Sequence, residues 1–491
     1  MNSNKKAFKQ LFFMLVFTIL TQAITLIKIS VTARNFGATI EMDAFNFSNS
    51  IGTFIFSFIG TGITTVLIPA IVNKKNMRTI NNFITILYSI SISIVLIIFL
   101  IRRPIVSIFS SGNDKFINIA CSLMFITLIS QFFNTIISVT NAVFQCNGKF
   151  NIPKILTLGT TAVLTLLVFI NKDLTIHEYA FYILITGLLN LVLHVILTYK
   201  EGFIYKPLID IKDEELPYMI KVFIPTVFSS GLYQVTLLTD SLISSTLGEG
   251  QISMLGYSNN IMSMINLLLT TNLVTYIYPK IAEKIKRKDG QKRLFEYFMF
   301  FNLIMCLMTI GFFSVGKEAI VILYEGGKFT SSVTSVVYLC TSIYTLGLPI
   351  NIMREVIYRY FYAQGNTKTT FINSITASIF NIIVSIILSR VIGIYGVVLG
   401  TVLTSVFSLT SILIRFKKAY SMNFDKKFVI IENVKVFLAA IISVVITLFL
   451  KSEFIIKNDI ISLLVYGVLV VILYVIMLLI FKTKAYKVEL T

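Results

Sequence analysis

The chain has 491 residues, 56% of them hydrophobic and only 13% charged, with a mean hydropathy of +0.85. Soluble globular proteins carry about 25% charged residues, so the composition excludes a soluble enzyme and a disordered chain alike. The 42 Lys and Arg against 23 Asp and Glu give a net charge of +19. In a soluble protein that would point to nucleic acid, but among long apolar runs it reflects basic cytoplasmic loops, and no nucleic-acid partner is expected.

A spanning helix needs about 20 mainly apolar residues, and that window finds about fourteen spans. Their centres fall near Leu20, Phe56, Ser91, Ile129, Leu164, Leu188, Tyr233, Leu267, Met305, Ile343, Phe380, Leu403, Ile442 and Val470. The first run, residues 11–33, is too long for a signal-peptide core and lacks a small-residue cleavage site, so it reads as a retained helix. An even number of spans puts both termini on one side. Most Lys and Arg then fall in inner segments: the N-terminus, 74–78, 149–154, 200–221, 280–293, 415–427 and the tail. That asymmetry predicts cytoplasmic termini; Arg102 and Arg103 are the main exceptions. The outer loops are short and leave no room for an external catalytic domain.

Three spans carry polar stripes. Helix 1 has Thr18, Thr21, Thr25, Lys28 and Thr32, alternating steps of three and four that share one face. Helix 2 has Asp43, Asn46, Ser50, Thr53, Ser57, Gly60 and Thr64 in the same pattern, and helix 7 has Thr226, Ser229, Tyr233, Thr236 and Asp240. Small and hydroxylated residues line membrane helix interfaces, so the Ser, Thr and Gly members have a packing explanation. Ionisable residues within spans are costly and face a bundle interior or a wet cavity. Lys28, Asp43 and Asp240 therefore predict a hydrated cavity lined by helices 1, 2, 7 and 8. Each charge has an ordinary alternative. Lys28 can snorkel outward, Arg34 can anchor the interface, and Asp43 suits the start of a helix. In helix 10, Arg354 and Glu355 are adjacent and are not expected to face each other, while Arg359 can reach the inner surface.

The chain repeats itself. Phe47-Ser48-Asn49-Ser50-Ile51 matches Tyr257-Ser258-Asn259-Asn260-Ile261 at an offset of 210 residues, and Pro69 matches Pro279 at the same offset. The expected fold is therefore an all-α membrane protein of two pseudo-symmetric six-helix lobes plus two C-terminal helices. Residues 1–205 hold helices 1–6, 206–420 hold helices 7–12, and 421–491 hold helices 13 and 14 with the tail. Parallel repeats are a transporter architecture with substrate held between the halves.

No P-loop or HExxH motif occurs. The four cysteines (121, 146, 306, 340) lack metal-ligand spacing and there are two histidines, so neither a metal nor a cofactor is expected. A membrane-embedded glycan polymerase or ligase would need acid, base or nucleophile facing an outer site, and the outer loops offer only scattered Glu249, Glu318 and Glu325. A cation antiporter would draw on Asp43, Asp240 and Glu355.

Ala33-Arg34-Asn35-Phe36-Gly37-Ala38 with Asp43-Ala44-Phe45 resembles the first-loop signature of the MurJ/MviN lipid II flippases. The segment 322–330 resembles that family's loop before helix 10. Tyr344-Thr345-Leu346-Gly347-Leu348-Pro349 with Arg359-Tyr360-Phe361-Tyr362-Ala363 resembles its helix 10, and Gly393-Ile394-Tyr395-Gly396 its turn between helices 11 and 12. Polysaccharide repeat-unit flippases and MATE antiporters belong to the same superfamily. The resemblance implies a monomeric, multi-pass protein of a bacterial-type inner membrane that moves a lipid-linked saccharide by alternating access, in contact with membrane lipids. It implies a cationic cavity for the diphosphate, with Lys28 standing for a functional helix 1 arginine and Arg34 and Asp43 matching directly. Three positions depart: Gln22 and Asn260 replace arginines, and helix 2 lacks its basic residue. The expected substrate-binding residues are Lys28, Arg34, Asn49, Asn260, Arg354 and Arg359. Asp43, Asp240 and Glu355 are the expected ion-coupling or charge-balancing groups.

Overall fold

The computed structural model describes residues 2–72, 76–110, 113–267, 290–420 and 425–485. The inner loop expected at 280–289 and the repeat partner Pro279 lie outside them. So do the side chains of Thr226, Ser229 and Tyr233. Among the described residues there are fourteen helices: α1 (Asn2–Phe36), α2 (Ile40–Val72), α3 (Met77–Phe109), α4 (Asp114–Cys146), α5 (Asn151–Ile170), α6 (Ile176–Lys200), α7 (Leu216–Ser245), α8 (Gln251–Ile265), α9 (Gly290–Tyr324), α10 (Ser331–Ala363), α11 (Thr367–Ile392), α12 (Ile394–Ala419), α13 (Lys426–Glu453) and α14 (Asp459–Ile480). Twelve of these, all but α7 and α8, are long and apolar enough to cross a membrane. Every expected span centre lies inside one of the fourteen, except Leu267, which falls just past the end of α8.

Local chemistry sets many of the ends. Hydrocarbon offers no partner for a free backbone group, so spans must be helical and must stop where water or a cap is available. Asn76, Asn113, Asn366, Asp425 and Asn458 each accept a backbone N–H at the start of a helix. Thr175 and Glu178 form a reciprocal capping box on α6. Gly393, at φ 60°, ends α11 and starts α12 in a single residue, a conformation that costs glycine nothing. Arg102, one of the two exceptions in the charge pattern, turns back on its own helix. It donates to the Phe99 carbonyl at 2.5 Å and lies 4.0 Å over the Phe99 ring.

Packing groups the chain into two compact units: 1–253 with 327–329, and 254–326 with 330–491. In the first, α2 packs on α4 and α7, α4 also meets α3 and α6, and α5 meets α1 and α6. In the second, α9 packs on α10, α12 sits against both α10 and α11, and α13 and α14 rest on α9 and each other. This grouping follows contact, whereas the boundary expected near 205 rests on the sequence repeat.

Apolar side chains such as Leu464, Val468 and Leu479 of α14 point outward while Asn302, Asn373, Asn381 and Ser385 are buried. That is the pattern of a surface solvated by lipid. Between α6 and α7 the chain runs extended along α3. Alternate backbone amides are held by α3 side chains: Lys206 by Asn81 at 3.3 Å, Leu208 by Thr85 at 3.1 Å and Asp210 by Asn82 at 3.0 Å. Ile209 and Ile211 face outward.

Candidate functional site

The turn between α1 and α2 is built on Gly37 (φ 57°), whose amide bonds back to the Ala33 carbonyl at 2.7 Å. It delivers Asp43 into the first turn of α2, buried. Its carboxylate accepts from the Gly250 amide at 2.5 Å and from the amide and hydroxyl of Ser253 at 2.7 and 2.5 Å. These donors are the orphan groups at the start of α8. In return Glu249, just before α8, accepts from the Ile40 amide at the start of α2 at 3.2 Å. The two helices thus exchange carboxylate caps, each favoured by the positive end of the other's dipole. A cleft of about 280 Å³ opens beside them, bordered by Asp43, Ser110, Asn113, Ser245 and Glu249. The Arg34 carbonyl accepts from the Lys328 amide at 2.8 Å. Gly327 (φ 55°) fits there because any Cβ would lie 2.3 Å from that carbonyl oxygen. The Arg-Asn-Phe-Gly and Gly-Gly-Lys motifs, almost 300 residues apart in the chain, therefore meet. Asp43 is the cap of this junction and accepts three donors there.

In α1, Thr18, Thr21 and Thr32 bond to carbonyls of their own helix. Their hydroxyls are satisfied without a ligand, and the ordinary explanation holds for them. Lys28 differs. It is half-buried within a span, and among the described residues no carboxylate lies in ion-pair range of it. Asp240 is buried on α7. Arg34 is exposed at the end of α1.

An amide network joins α2 to α4. Gln131 donates to the Asn49 side-chain oxygen at 3.1 Å and to the Thr53 hydroxyl at 3.2 Å, and accepts from Asn134 at 3.0 Å. A Cβ on Gly52 would sit 3.0 Å from Gln131, and one on Gly60 would sit 2.9 Å from the Ser138 hydroxyl. Small residues on α2 thus let the helices come close enough for the amides to meet. Sequence reasoning took Asn49 and missed Gln131, Asn134 and Ser138. Their steps of three and four within an apolar span were the available signal.

In the second unit, Asn260 is exposed on α8. On α10, Glu355 lies 3.4 Å from Arg354 and 3.7 Å from Arg359. The expectation that Arg354 and Glu355 cannot meet is corrected: both are long enough to bend alongside the helix, although adjacent positions point about 100° apart. Arg354 also lies 5.6 Å over Tyr358 and Arg359 5.7 Å over Tyr362. The three charges form one half-buried group of net positive sign. No group of three or more His, Cys, Asp or Glu suited to a metal ion occurs among the described residues.

The family model described as "MurJ: Lipid II flippase MurJ" matches residues 32–479. The chain belongs to this family. A MurJ relative of Rickettsia prowazekii (strain Madrid E), described as "Probable lipid II flippase MurJ", is 23% identical over 409 residues, 80% of each chain. One of Aquifex aeolicus (strain VF5), with the same description, is 23% identical over 385 residues, 76% of each chain. Among solved structures, "Lipid II flippase MurJ, inward closed conformation" shares the fold with a TM-score of 0.81 and 22% identity, covering 95% of this chain and 98% of that one. An inward-facing multidrug resistance MATE transporter of the MOP superfamily has a TM-score of 0.64 and 13% identity, covering 81% and 96%. The MurJ match takes in Arg34, Asp43 and both partners of the reciprocal cap. It begins four residues after Lys28.

Proposed function

We propose that this chain is a flippase that moves a polyprenyl-diphosphate-linked saccharide, lipid II or a polysaccharide repeat unit, from the inner to the outer leaflet by alternating access. Lys28 carries the reading. An ammonium group inside a span without a counter-charge is costly, and an anionic headgroup that pairs with it removes the cost. The diphosphate pairs with Lys28 and then with Arg34 at the outer end of α1. Asn49 and Asn260 hydrogen-bond sugar hydroxyls. Arg354 and Arg359 supply positive field, partly balanced by Glu355. Asp43 serves as a cap, and Asp240 balances charge or holds a coupling cation.

Residues 1–205 and 206–420 act as the two lobes of the cycle, with 421–491 added to them. Both termini are cytoplasmic, the membrane is a bacterial-type inner membrane, and the working unit is a monomer. An inside-negative potential favours outward movement of an anion by about 2.3 kcal/mol per charge per 100 mV. For a diphosphate of about two charges that is roughly 4–5 kcal/mol, enough to bias transport without ATP.

Depletion of the protein tests this reading, through the lipid-linked intermediate that accumulates in the inner leaflet. The buried Asp240 favours a second reading, a MATE-like cation antiporter. Saturable cation binding lost in Asp240→Asn, with no binding of a polyprenyl-diphosphate saccharide by the wild type, would replace the first reading with the second.

A further inference from the structure

The α2–α4 amide network has an open end. Asn134 sits well inside α4, among residues long and apolar enough to span a membrane, yet it is exposed. An amide turned toward hydrocarbon leaves its hydrogen bonds unmade. Its face on the helix argues against that orientation. Phe125, an exposed apolar residue of α4 whose ring lies 4.9 Å from that of Phe99, is nine residues earlier. At about 100° per residue it points to the opposite side of the helix. The apolar Phe125 side of α4 is the one suited to lipid, and Asn134 lies on the side opposite to it.

Amides that serve only to hold helices together look different in this chain. Asn302, fully buried, donates to Asn433 at 2.7 Å. Asn373, fully buried, donates to Tyr358 and Ser408. Neither leaves an exposed amide. In the α2–α4 network the buried end is fixed and the outer end is open. Both N–H groups of Gln131 are used, on Asn49 and Thr53, and its oxygen holds Asn134. Among the described residues, Asn134 keeps one N–H and its carbonyl oxygen for a ligand, and the Asn49 amide nitrogen adds two more donors.

This inventory selects a chemistry. The surface offers donors and acceptors side by side and carries no charge. Helix 2 has no Lys or Arg between Asp43 and Lys74. A diphosphate would want cations, and a coupling ion would want carboxylates. Sugar hydroxyls and acetamido groups, which both donate and accept, match it. We infer that Gln131 and Asn134, with Asn49 and Thr53, form a saccharide-reading subsite that distinguishes a glycosylated lipid diphosphate from a bare one. The inference rests on the flippase reading and divides its headgroup: phosphate to Lys28, sugar to the amides.

The test is binding by the purified full-length protein of two probes, polyprenyl diphosphate carrying an uncharged N-acetylated disaccharide and polyprenyl diphosphate alone. Wild type is expected to bind the first more tightly. Asn134→Ala should lower affinity for the glycosylated probe about two- to tenfold, the worth of one or two hydrogen bonds, and leave the bare diphosphate unchanged. Lys28→Ala should weaken both. Gln131→Ala should behave as Asn134→Ala does, and Asn134→Gln, which keeps the amide, should retain part of the preference. Matching thermal unfolding of wild type and Asn134→Ala excludes a folding defect. Equal affinity of wild type for the two probes, or equal losses on both in Asn134→Ala, overturns the saccharide subsite and leaves the flippase reading standing. Binding of neither probe by wild type overturns the flippase reading, and the subsite with it.

Discussion

Asp43 and Ser253 occupy equivalent positions of the internal repeat, 210 residues apart, and they touch: the Asp43 carboxylate accepts both the amide and the hydroxyl of Ser253. Duplication usually places equivalent residues in equivalent surroundings. Here one position supplies the acid and the other the donors. The Gly250 amide completes the acceptor's set.

Asp43→Ala should therefore act on stability first. It strands two buried backbone amides, each worth about 1–3 kcal/mol when unpaired. Asp43→Asn should cost less, because one oxygen still accepts. Thermal unfolding of purified variants measures this. Unchanged stability in Asp43→Ala, together with altered cation dependence of transport, would return Asp43 to an ion-coupling role.

Gly250 and Gly248 form an internally controlled pair. Both have positive φ, 81° and 123°. A Cβ on Gly250 would lie 2.7 Å from the Ala38 carbonyl oxygen, whereas Gly248 faces open space. Each alanine carries the backbone penalty of roughly 1–2 kcal/mol, and Gly250→Ala adds a backbone clash. Folded yield in detergent should fall further for Gly250→Ala than for Gly248→Ala.

For Lys28, alanine should reduce transport about ten- to a hundredfold, the worth of a charge-assisted hydrogen bond, at normal protein level. Arginine should retain much of it. Transport measured in cells depleted of the wild-type protein decides this, and a fully active alanine variant would leave Lys28 as an interface anchor.

Topology can be read with an impermeant thiol reagent on a cysteine-free background, since Cys121 and Cys146 are only half-buried. A cysteine at Gly248 should be labelled from outside and one at Asn76 spared. Labelling at 76 alone would invert the orientation.

Asp213, in the extended connector, should give that segment an acid-sensitive attachment. Slight burial pushes its pKa up, but the bonds it accepts from the Glu215 and Leu216 amides, Thr79 and Asn82 outweigh this and hold it below the ordinary carboxylate value. A depressed native pKa adds stability that is present above the unfolded value, about 3.9 for Asp, and is lost as pH falls through the native one. Hydrogen exchange at Glu215 and Leu216 should therefore quicken below about pH 4 in wild type more than in Asp213→Asn.

Much of the fold was legible because hydropathy is a local property. Thirteen of fourteen span centres landed within helices, and the repeat was visible in identical spacings. The site was less legible. Asp43 stood out as a charge near a helix start, but its partners are more than 200 residues away, and no local pattern announces them. Arg354 and Glu355 were judged by helix geometry alone, which ignores the reach of long side chains. Gln131 and Asn134 carry no charge to mark them, and their link to Asn49 and Thr53 spans about 80 residues of chain.

The connector between α6 and α7 is irregular by secondary structure, and irregular surface segments ordinarily tolerate insertion and deletion. This one should not. Its amides at 206, 208 and 210 engage fixed acceptors on α3 with a period of two. Adding one residue between them would put the following donors out of phase and turn Ile209 and Ile211 toward the polar side chains of α3. Length here is under the same constraint as in a paired strand, so natural variants and engineered reporters alike should accept substitutions in this stretch far more readily than changes in residue count.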